Sequence, residues 1–260
     1  MTRALILAAG QGRRLHPMTR NKPKCLVKLF GKPILEHQLA VLRACGVSTI
    51  QIVTGYCSAQ VSQLGHECIL NSEYADSNMV TSLFCAAPFI DTEEDLIISY
   101  GDIVFEQKNL MELMESEFQI SVMVDVNWKK LWGQRMENPL DDAESLVVDS
   151  SGFLSELGKK CNDYSKIEGQ YTGLIKVRGA KLQELFKFYQ GLDKQIAYDG
   201  VNFDNMYMTS FLQCLIDAGW LIKPVFVHGG WLEIDTVADI QSYERLAATG
   251  NLGEFFQVSS

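Results

Sequence analysis

The chain has 260 residues, 47% of them hydrophobic and 21% charged, which is typical of a globular protein with ample material for a large core. Its formal net charge of −9 would repel a nucleic-acid backbone, so nucleic acid is not an expected partner, although a small anion could bind in a locally basic pocket. Seven cysteines without a C-x-x-C pair favour a reducing, cytoplasmic compartment, and neither a signal peptide nor a membrane-spanning run is expected.

Short β-rich runs alternate with amphipathic helical stretches along the chain, which is the pattern of a sheet covered by crossover helices. Between the first two runs, Pro33 suits the first helical position and Gly46 a helix stop, so the segment predicts a β-α-β unit. The segment VVDSSGFLSEL predicts two antiparallel strands joined by a Ser-Ser-Gly turn. The predicted strands are Ala4–Ala8, Thr49–Thr54, Leu96–Tyr100, Ile120–Asp125, Thr172–Val177 and Leu221–Val227, and further helices are predicted at Met79–Ala87, Lys108–Ser116, Ala180–Tyr189, Asn205–Ala218 and Val237–Ala247.

The loop after the first predicted strand combines glycines with positive charge. Gly10 and Gly12 let the backbone approach a ligand closely at the carboxyl end of the strand, and Arg13, Arg14 and Lys24 follow. Backbone N–H groups and cations together suit phosphates. The glycines alone are explained equally well by a tight turn. The dinucleotide-binding fingerprint does not match, because a leucine stands where its third glycine would be.

The longer string from Leu7 to Lys24 resembles the signature L-A-A/G-G-x-G-x-R-L-x-P-x-T-x-x-x-P-K of the nucleotidylyltransferases, the sugar-phosphate and phosphocholine pyrophosphorylases. GKPILEHQL, SYGDIVF and GGWLEIDTVADIQSYERL follow in family order, so the resemblance covers essentially the whole chain. It implies an α/β fold of the nucleotide-diphospho-sugar transferase type: a doubly wound, mostly parallel mixed sheet with helices on both faces. No linker interrupts the sequence, so we expect one domain over 1–260, with nucleotide binding in roughly 1–115 and acceptor binding in roughly 116–260.

The same resemblance implies roles for individual residues. Arg14 and Lys24 would hold the triphosphate of a nucleotide, while Asp102 and Asp235 would hold Mg²⁺, the expected cofactor. Taken singly, Asp102 could be a turn residue and Asp235 a helix N-cap. Glu233 is a candidate to support Asp235 rather than to bind the metal. The implied nucleotide-binding residues are Leu7, Ala8, Ala9, Gly10, Gln11, Gly12, Arg13, Gly55, Tyr56, Asn78 and Gly101.

Two segments bear on the substrates. NSEYADSNMVTSL and DVNWKKLWGQRMENPLDDAES look more like the cytidylyltransferases acting on phosphocholine, aminoalkylphosphonates or phosphoamino acids than like the hexose-phosphate enzymes, which favours CTP over UTP or dTTP. Trp128 and Trp132 share one face of a helical turn and form either an aromatic wall for a cationic group or ordinary packing. The other acceptor-binding candidates are Asp142 and Glu144 for an ammonium, Arg135 for a carboxylate, Lys159 or Lys160 for a phosphate, and Glu168, Tyr171 and Asp204.

The activity expected from the sequence is Mg²⁺-dependent transfer of CMP from CTP to a small amine-bearing phosphate or phosphonate, with release of pyrophosphate and no membrane partner. One alternative is a sugar-1-phosphate nucleotidylyltransferase. The other is a regulatory module that binds nucleotide without turnover, although such a module need not keep Arg14, Lys24, Asp102 and Asp235 together. The sequence leaves the oligomeric state open, a homodimer included.

Overall fold

The structure is a computed structural model that describes residues 2–258. The strands are β1 Thr2–Ala8, β2 Lys28–Leu29, β3 Lys32–Pro33, β4 Thr49–Thr54, β5 Glu67–Leu70, β6 Asp95–Tyr100, β7 Ile103–Phe105, β8 Ile120–Asp125, β9 Glu144–Val148, β10 Leu154–Lys160, β11 Gln170–Val177, β12 Ile222–Val227 and β13 Trp231–Glu233. The helices are α1 Ile34–Ala44, α2 Ser58–Ser62, α3 Met79–Cys85, α4 Gln107–Glu115, α5 Trp128–Arg135, α6 Gly179–Gly191, α7 Met208–Asp217 and α8 Val237–Ala248. Within these residues no helix has both the length and the apolar character needed to cross a bilayer.

A seven-stranded sheet in the order β12-β8-β11-β6-β1-β4-β5 forms the centre of the molecule. Its strands are parallel except β11, which runs antiparallel to both β6 and β8. Side chains alternate across the sheet, so Ala4 and Ile6 of β1 pack into one hydrophobic cluster while Leu5 and Leu7 pack into the other. One cluster includes residues of α1, α4, α5 and α8, and the other residues of α3, α6 and α7. The predicted mostly parallel mixed sheet with helices on both faces is confirmed.

A short ladder outside the main sheet joins two distant parts of the chain. β7 pairs antiparallel with β13, with Ile103 opposite Glu233, and the Ile234 N–H donates to the Asp102 carbonyl at 2.9 Å. Asp102 immediately precedes β7, and Asp235 follows β13 by one residue. This pairing therefore brings the two aspartates to the same edge of the molecule.

All six predicted main-sheet strands are present, and the predicted hairpin is β9 and β10, which pair antiparallel. The starts of α1, α4 and α6 differ from the prediction by one residue each, and the start of α7 differs by three. Pro33 lies in β3 with an extended ψ of 142°, so α1 begins one residue later, at Ile34. The predicted helix at Asn205–Ala218 begins only at Met208, because Phe203–Asn205 form a separate 3-10 turn.

Candidate active site

The loop after β1 wraps around Lys24. Gly12 adopts a left-handed conformation with φ 68°, and its carbonyl accepts hydrogen bonds from the Leu15 N–H at 3.0 Å and the Thr19 hydroxyl at 2.8 Å. A Cβ atom on Gly12 would lie only 2.9 Å from the Cβ of Lys24. The glycine is therefore required both for the turn and for the close passage of the lysine side chain.

Glycines at the ends of the two neighbouring strands let the chain close against this loop. The Gly101 N–H, after β6, donates to the Leu7 carbonyl at 2.9 Å, and a Cβ there would lie 2.7 Å from that oxygen. After β4, the Tyr56 N–H donates to the Ala9 carbonyl at 2.9 Å. A Cβ on Gly55 would collide with the side chain of Tyr74, at 2.5 Å.

Lys24 lies between the two aspartates. Its Nζ is 2.8 Å from Asp102 Oδ2 and 2.7 Å from Asp235 Oδ1, and the Arg14 guanidinium donates to the same Asp235 oxygen at 3.0 Å. Burial alone would lower the pKa of Lys24, but the two carboxylates outweigh it and raise that pKa above its ordinary value. Burial likewise opposes ionisation of Asp235, yet Lys24, Arg14 and Arg135 leave its pKa below the ordinary value.

Arg135 is held by three carboxylates rather than facing a substrate. Its guanidinium contacts Glu233 at 2.5 Å, Asp235 Oδ2 at 3.2 Å and Asp239 at 3.1 Å, and the side chain is only 3% exposed. Asp239 in turn accepts the Asp235 N–H at 2.9 Å and forms a capping box with Thr236 at the start of α8. Three of the five N–H donors of Arg135 are thus engaged by carboxylates of the protein, so this geometry disfavours its predicted role in binding an acceptor carboxylate, which stays a prediction.

A cavity of about 100 Å³ lies over the loop and the carboxyl ends of β1 and β6. Of the residues predicted from the sequence it brings together Leu7, Ala8, Ala9, Gly10, Lys24, Asn78, Gly101 and Asp102. Sequence reasoning missed Tyr74, Ser77, Met79 and Ser82, which also line it. Gln11, Gly12, Arg13 and Tyr56 lie instead around a neighbouring cavity of about 250 Å³ that shares Tyr74 with the first.

Arg14, Lys24, Asp102 and Asp235 together form what we call the ion cluster. A cavity of about 260 Å³ lies on the other side of this cluster from the 100 Å³ cavity. Asn78 and Met79 border both this cavity and the 100 Å³ cavity. It contains the predicted residues Arg14, Trp132, Asp142, Glu144, Tyr171 and Asp235. It also contains residues that the sequence did not single out, namely Tyr100, Gln170, Thr172, Gly173, Tyr207, Met208, Thr209 and Trp231. We call it the second cavity.

Besides Arg135, five predicted acceptor residues lie outside the 100 Å³ cavity and the second cavity. Trp128 is 4% exposed and packs edge-on against Trp132. For Trp128 this favours ordinary packing over an aromatic wall for a cationic group. Lys159 is exposed and pairs with Glu156 at 2.9 Å, and Lys160, also exposed, ends the same strand. The remaining two make contacts with backbone groups: the Glu168 carboxylate accepts the Val148 N–H at 2.8 Å, and the Asp204 carbonyl accepts the Asn78 N–H at 2.9 Å.

The oxygens of Asp102 and Asp235 are suited to a metal ion. Asp102 Oδ1 is buried and has no hydrogen-bond partner within the described residues, while its Oδ2 and Asp235 Oδ1 both contact one ammonium. Residues 2–258 contain no cluster of three or more His, Cys, Asp or Glu arranged to hold an ion. The pair fits a cation such as Mg²⁺, which takes one or two carboxylates and completes its shell with phosphate oxygens and water.

Comparisons with known proteins agree with this architecture. Residues 4–139 match the MobA-like NTP transferase domain. Over 247 residues the chain is 42% identical to the CTP:phosphoglutamine cytidylyltransferase of Campylobacter jejuni, covering 92% of this chain and 97% of that one. It is 33% identical over 250 residues to the 2-aminoethylphosphonate cytidylyltransferase of Lancefieldella rimae, covering 94% and 92%.

Among solved structures, the CTP:phosphocholine cytidylyltransferase of Streptococcus pneumoniae superposes with a TM-score of 0.69 over 95% of this chain and 99% of that one. At 20% identity this likeness shows a shared fold alone. The domain match spans more than half of the 260 residues, and the two relatives align over nearly their whole lengths. The chain therefore belongs to the MobA-like NTP transferase domain family and is a nucleotidyltransferase.

Proposed function

We propose that this protein transfers CMP from CTP to phosphoglutamine, or to a closely related small amine-bearing phosphate, and releases pyrophosphate. The identity of 42% with a CTP:phosphoglutamine cytidylyltransferase over nearly all of both chains supports this choice of substrates. The observation that carries the proposal is the position of the ion cluster. Lys24 and Asp102 line one cavity, Arg14 and Asp235 line the second cavity, and Lys24 joins the two aspartates.

In this proposal the nucleotide occupies the 100 Å³ cavity. The backbone of Ala8, Ala9 and Gly10 would meet the base and ribose, with Tyr74 and Asn78 on the opposite wall. The triphosphate would then extend toward the ion cluster. The residues around the neighbouring 250 Å³ cavity remain candidates for contacts with its outer phosphates.

The acceptor occupies the second cavity and supplies the nucleophile itself. An oxygen of its phosphate attacks the α-phosphorus of CTP, a new P–O bond forms, and the bond from the α-phosphorus to the bridging oxygen breaks, so that pyrophosphate leaves with the electron pair. Lys24 and Arg14 would stabilise the negative charge that grows on the departing pyrophosphate. No covalent intermediate on the protein is needed.

Asp102 and Asp235 would hold Mg²⁺, which when bound neutralises phosphate oxygens and keeps the attacking and leaving oxygens in line. Arg135 holds the second oxygen of Asp235 and so fixes that carboxylate. All seven cysteines are free thiols, in keeping with the further proposal that the enzyme works in the reducing cytoplasm.

A sugar-1-phosphate acceptor is disfavoured by the second cavity. Glu233 and Asp235 in its lining are paired with basic side chains, but Glu144 has no basic partner within the described residues. A sugar hydroxyl can donate a hydrogen bond to that carboxylate but brings no positive charge to balance it. An acceptor with an ammonium group does. The assignment of the first 115 residues to the nucleotide stays a prediction, although Tyr100 also reaches the second cavity.

The test is to incubate the protein with Mg²⁺, each of the four ribonucleoside triphosphates and one of four acceptors, and to follow pyrophosphate. The acceptors are phosphoglutamine, aminoethylphosphonate, phosphocholine and glucose-1-phosphate. We expect turnover with CTP and phosphoglutamine, and its loss in Asp102→Asn with an unchanged circular dichroism spectrum. Turnover with glucose-1-phosphate alone would overturn the proposal.

A further inference from the structure

Two buried donors in the second cavity have no partner. Trp132 is 4% exposed, and neither its Nε1 nor the hydroxyl of Tyr171 meets a hydrogen-bond partner within the described residues. Both residues line the second cavity. Trp231, packed against Trp132 in the same wall, donates its Nε1–H to Asp125 at 3.0 Å. The fold thus gives the indole N–H of Trp231 a hydrogen-bond acceptor and leaves the indole N–H of Trp132 without one within the described residues.

The backbone of the acidic residue Glu144 is fixed next to the strand that carries Tyr171. The Glu144 N–H donates to the Gln170 side-chain oxygen at 3.2 Å, and the Gln170 Nε2 donates back to the Glu144 carbonyl at 2.7 Å. These two bonds hold the start of β9 against the start of β11, where Tyr171 follows Gln170. Burial is the main cause of the raised pKa of the Tyr171 phenol; the neighbouring Tyr100 hydroxyl opposes it and the charge of Glu144 adds to it. The Tyr100 ring meets the Tyr171 ring edge-on at 5.8 Å, and Glu144, Tyr100 and Tyr171 all line the second cavity.

No cation within the described residues neutralises Glu144. The groups that face it are the carboxylates of Asp142 and Asp199 and the hydroxyl of Thr209. Burial, reinforced by Asp142, raises the pKa of Glu144 to about 7. In the described part of the chain Arg14 is the single basic residue of the cavity lining, and it is paired with Asp235.

We propose that the second cavity recognises the α-amino-acid end of the acceptor. Glu144, with Asp142 beside it, receives the α-ammonium, and Trp132 Nε1 and the Tyr171 hydroxyl donate hydrogen bonds to the α-carboxylate. This inference rests on the proposed function and deepens it, because it distinguishes an amino-acid phosphate from a simple amine phosphate.

The physical reason is the cost of buried groups that lack partners. An acceptor without a carboxylate leaves the indole and phenol donors unpaired in a buried site, and an acceptor without an ammonium leaves the carboxylate of Glu144 unpaired. A site built to hydrogen-bond a substrate group discriminates strongly against the analogue that lacks it, here by about tenfold to a hundredfold for each missing group.

The test compares three acceptors with CTP and the intact enzyme: phosphoglutamine, phosphorylated 4-aminobutanamide without the α-carboxylate, and phosphorylated glutaramic acid without the α-ammonium. For the wild type we expect the acceptor KM to rise about tenfold to a hundredfold for either analogue. Calorimetric binding of the same three compounds without CTP gives a readout that does not require turnover.

Two variants remove one group each and keep its shape. Tyr171→Phe should raise the KM for phosphoglutamine about tenfold and leave the KM for the carboxylate-free analogue unchanged. Glu144→Gln should weaken both ammonium-bearing acceptors and leave the glutaramic compound unchanged. The matched controls are Tyr164→Phe and Glu156→Gln, which alter residues outside the cavity lining. Trp132→Phe is less informative, because that ring also lies 5.0 Å from the Arg135 guanidinium.

The outcomes separate the two proposals. If phosphoglutamine is turned over but both analogues match it in KM, or if Tyr171→Phe weakens all three equally, the recognition site is wrong while the proposed function stands. If no acceptor is turned over, the proposed function is wrong. The calorimetric ranking of the three compounds then confirms or overturns the recognition site by itself. Unchanged thermal unfolding of each variant shows that the fold is intact.

Discussion

Replacing Arg135 by methionine should destabilise the protein strongly. The side chains of Arg135 and Asp239 are each 3% exposed and that of Asp235 is 7% exposed, so the variant would leave buried carboxylates without their shared cation. Removing one partner of a buried ion cluster costs about 3–5 kcal/mol, against a total stability of about 5–15 kcal/mol for a typical domain. For a chain of this size that corresponds to a fall in Tm of roughly 6–20 °C.

The assay is urea unfolding followed by circular dichroism, with thermal unfolding in parallel. Arg178→Met is the matched control, because Arg178 pairs with Asp95 at 3.2 Å but its side chain is 44% exposed. A pair so exposed contributes about 0–1 kcal/mol. Equal losses of stability in the two variants would refute the view that Arg135 is a buried structural cation, and would reopen its role as a substrate ligand.

Three further predictions follow from single positions. Lys24→Met should lower kcat about 10²- to 10³-fold, as measured by pyrophosphate release, because it removes one of the cations proposed to stabilise charge in the transition state. Gly12→Ala should cost more than the roughly 1–2 kcal/mol of its left-handed conformation in urea unfolding, because its Cβ would also press on the Lys24 side chain, whereas Gly10→Ala, whose Cβ meets open space, should be nearly neutral. Since burial raises the pKa of Glu144 to about 7, its carboxyl is protonated below that pH and receives an ammonium poorly. The acceptor KM should therefore rise about tenfold for each pH unit below 7, and Glu144→Gln should abolish this slope.

The sequence predicted the central sheet well because strand signals are local. The apolar run of β1 is short and followed by glycines, those of β4 and β8 are rich in β-branched residues, and each strand lies where its pattern places it. The ladder of β7 and β13 was not predicted, because three-residue strands carry no periodicity of their own. No local sequence pattern connects Asp102 with Asp235. The family resemblance placed them at one site, and the β7–β13 ladder is the structural reason why they meet.

The acceptor side was harder to predict because side-chain partners there are distant in sequence. Arg135 looked available within its own segment, yet its carboxylate partners come from β13 and the residues that follow it. Lys159 and Lys160 offered positive charge for a phosphate, but composition does not tell whether a lysine side chain points into a cavity or into solvent, and both are exposed at the end of β10. Thr209 carries no local signal either, since it reaches the second cavity only through the docking of α7.

The β7–β13 ladder also has a consequence for how the enzyme is made. The ribosome makes the loop after β1 and Asp102 long before it makes the segment that carries Asp235. A nascent or truncated chain ending before Trp231 would carry Asp102 without Asp235. If the two aspartates act as proposed, activity requires the segment that carries β13 and Asp235 to have been made and paired with β7, and chains cut before Trp231 should be inactive.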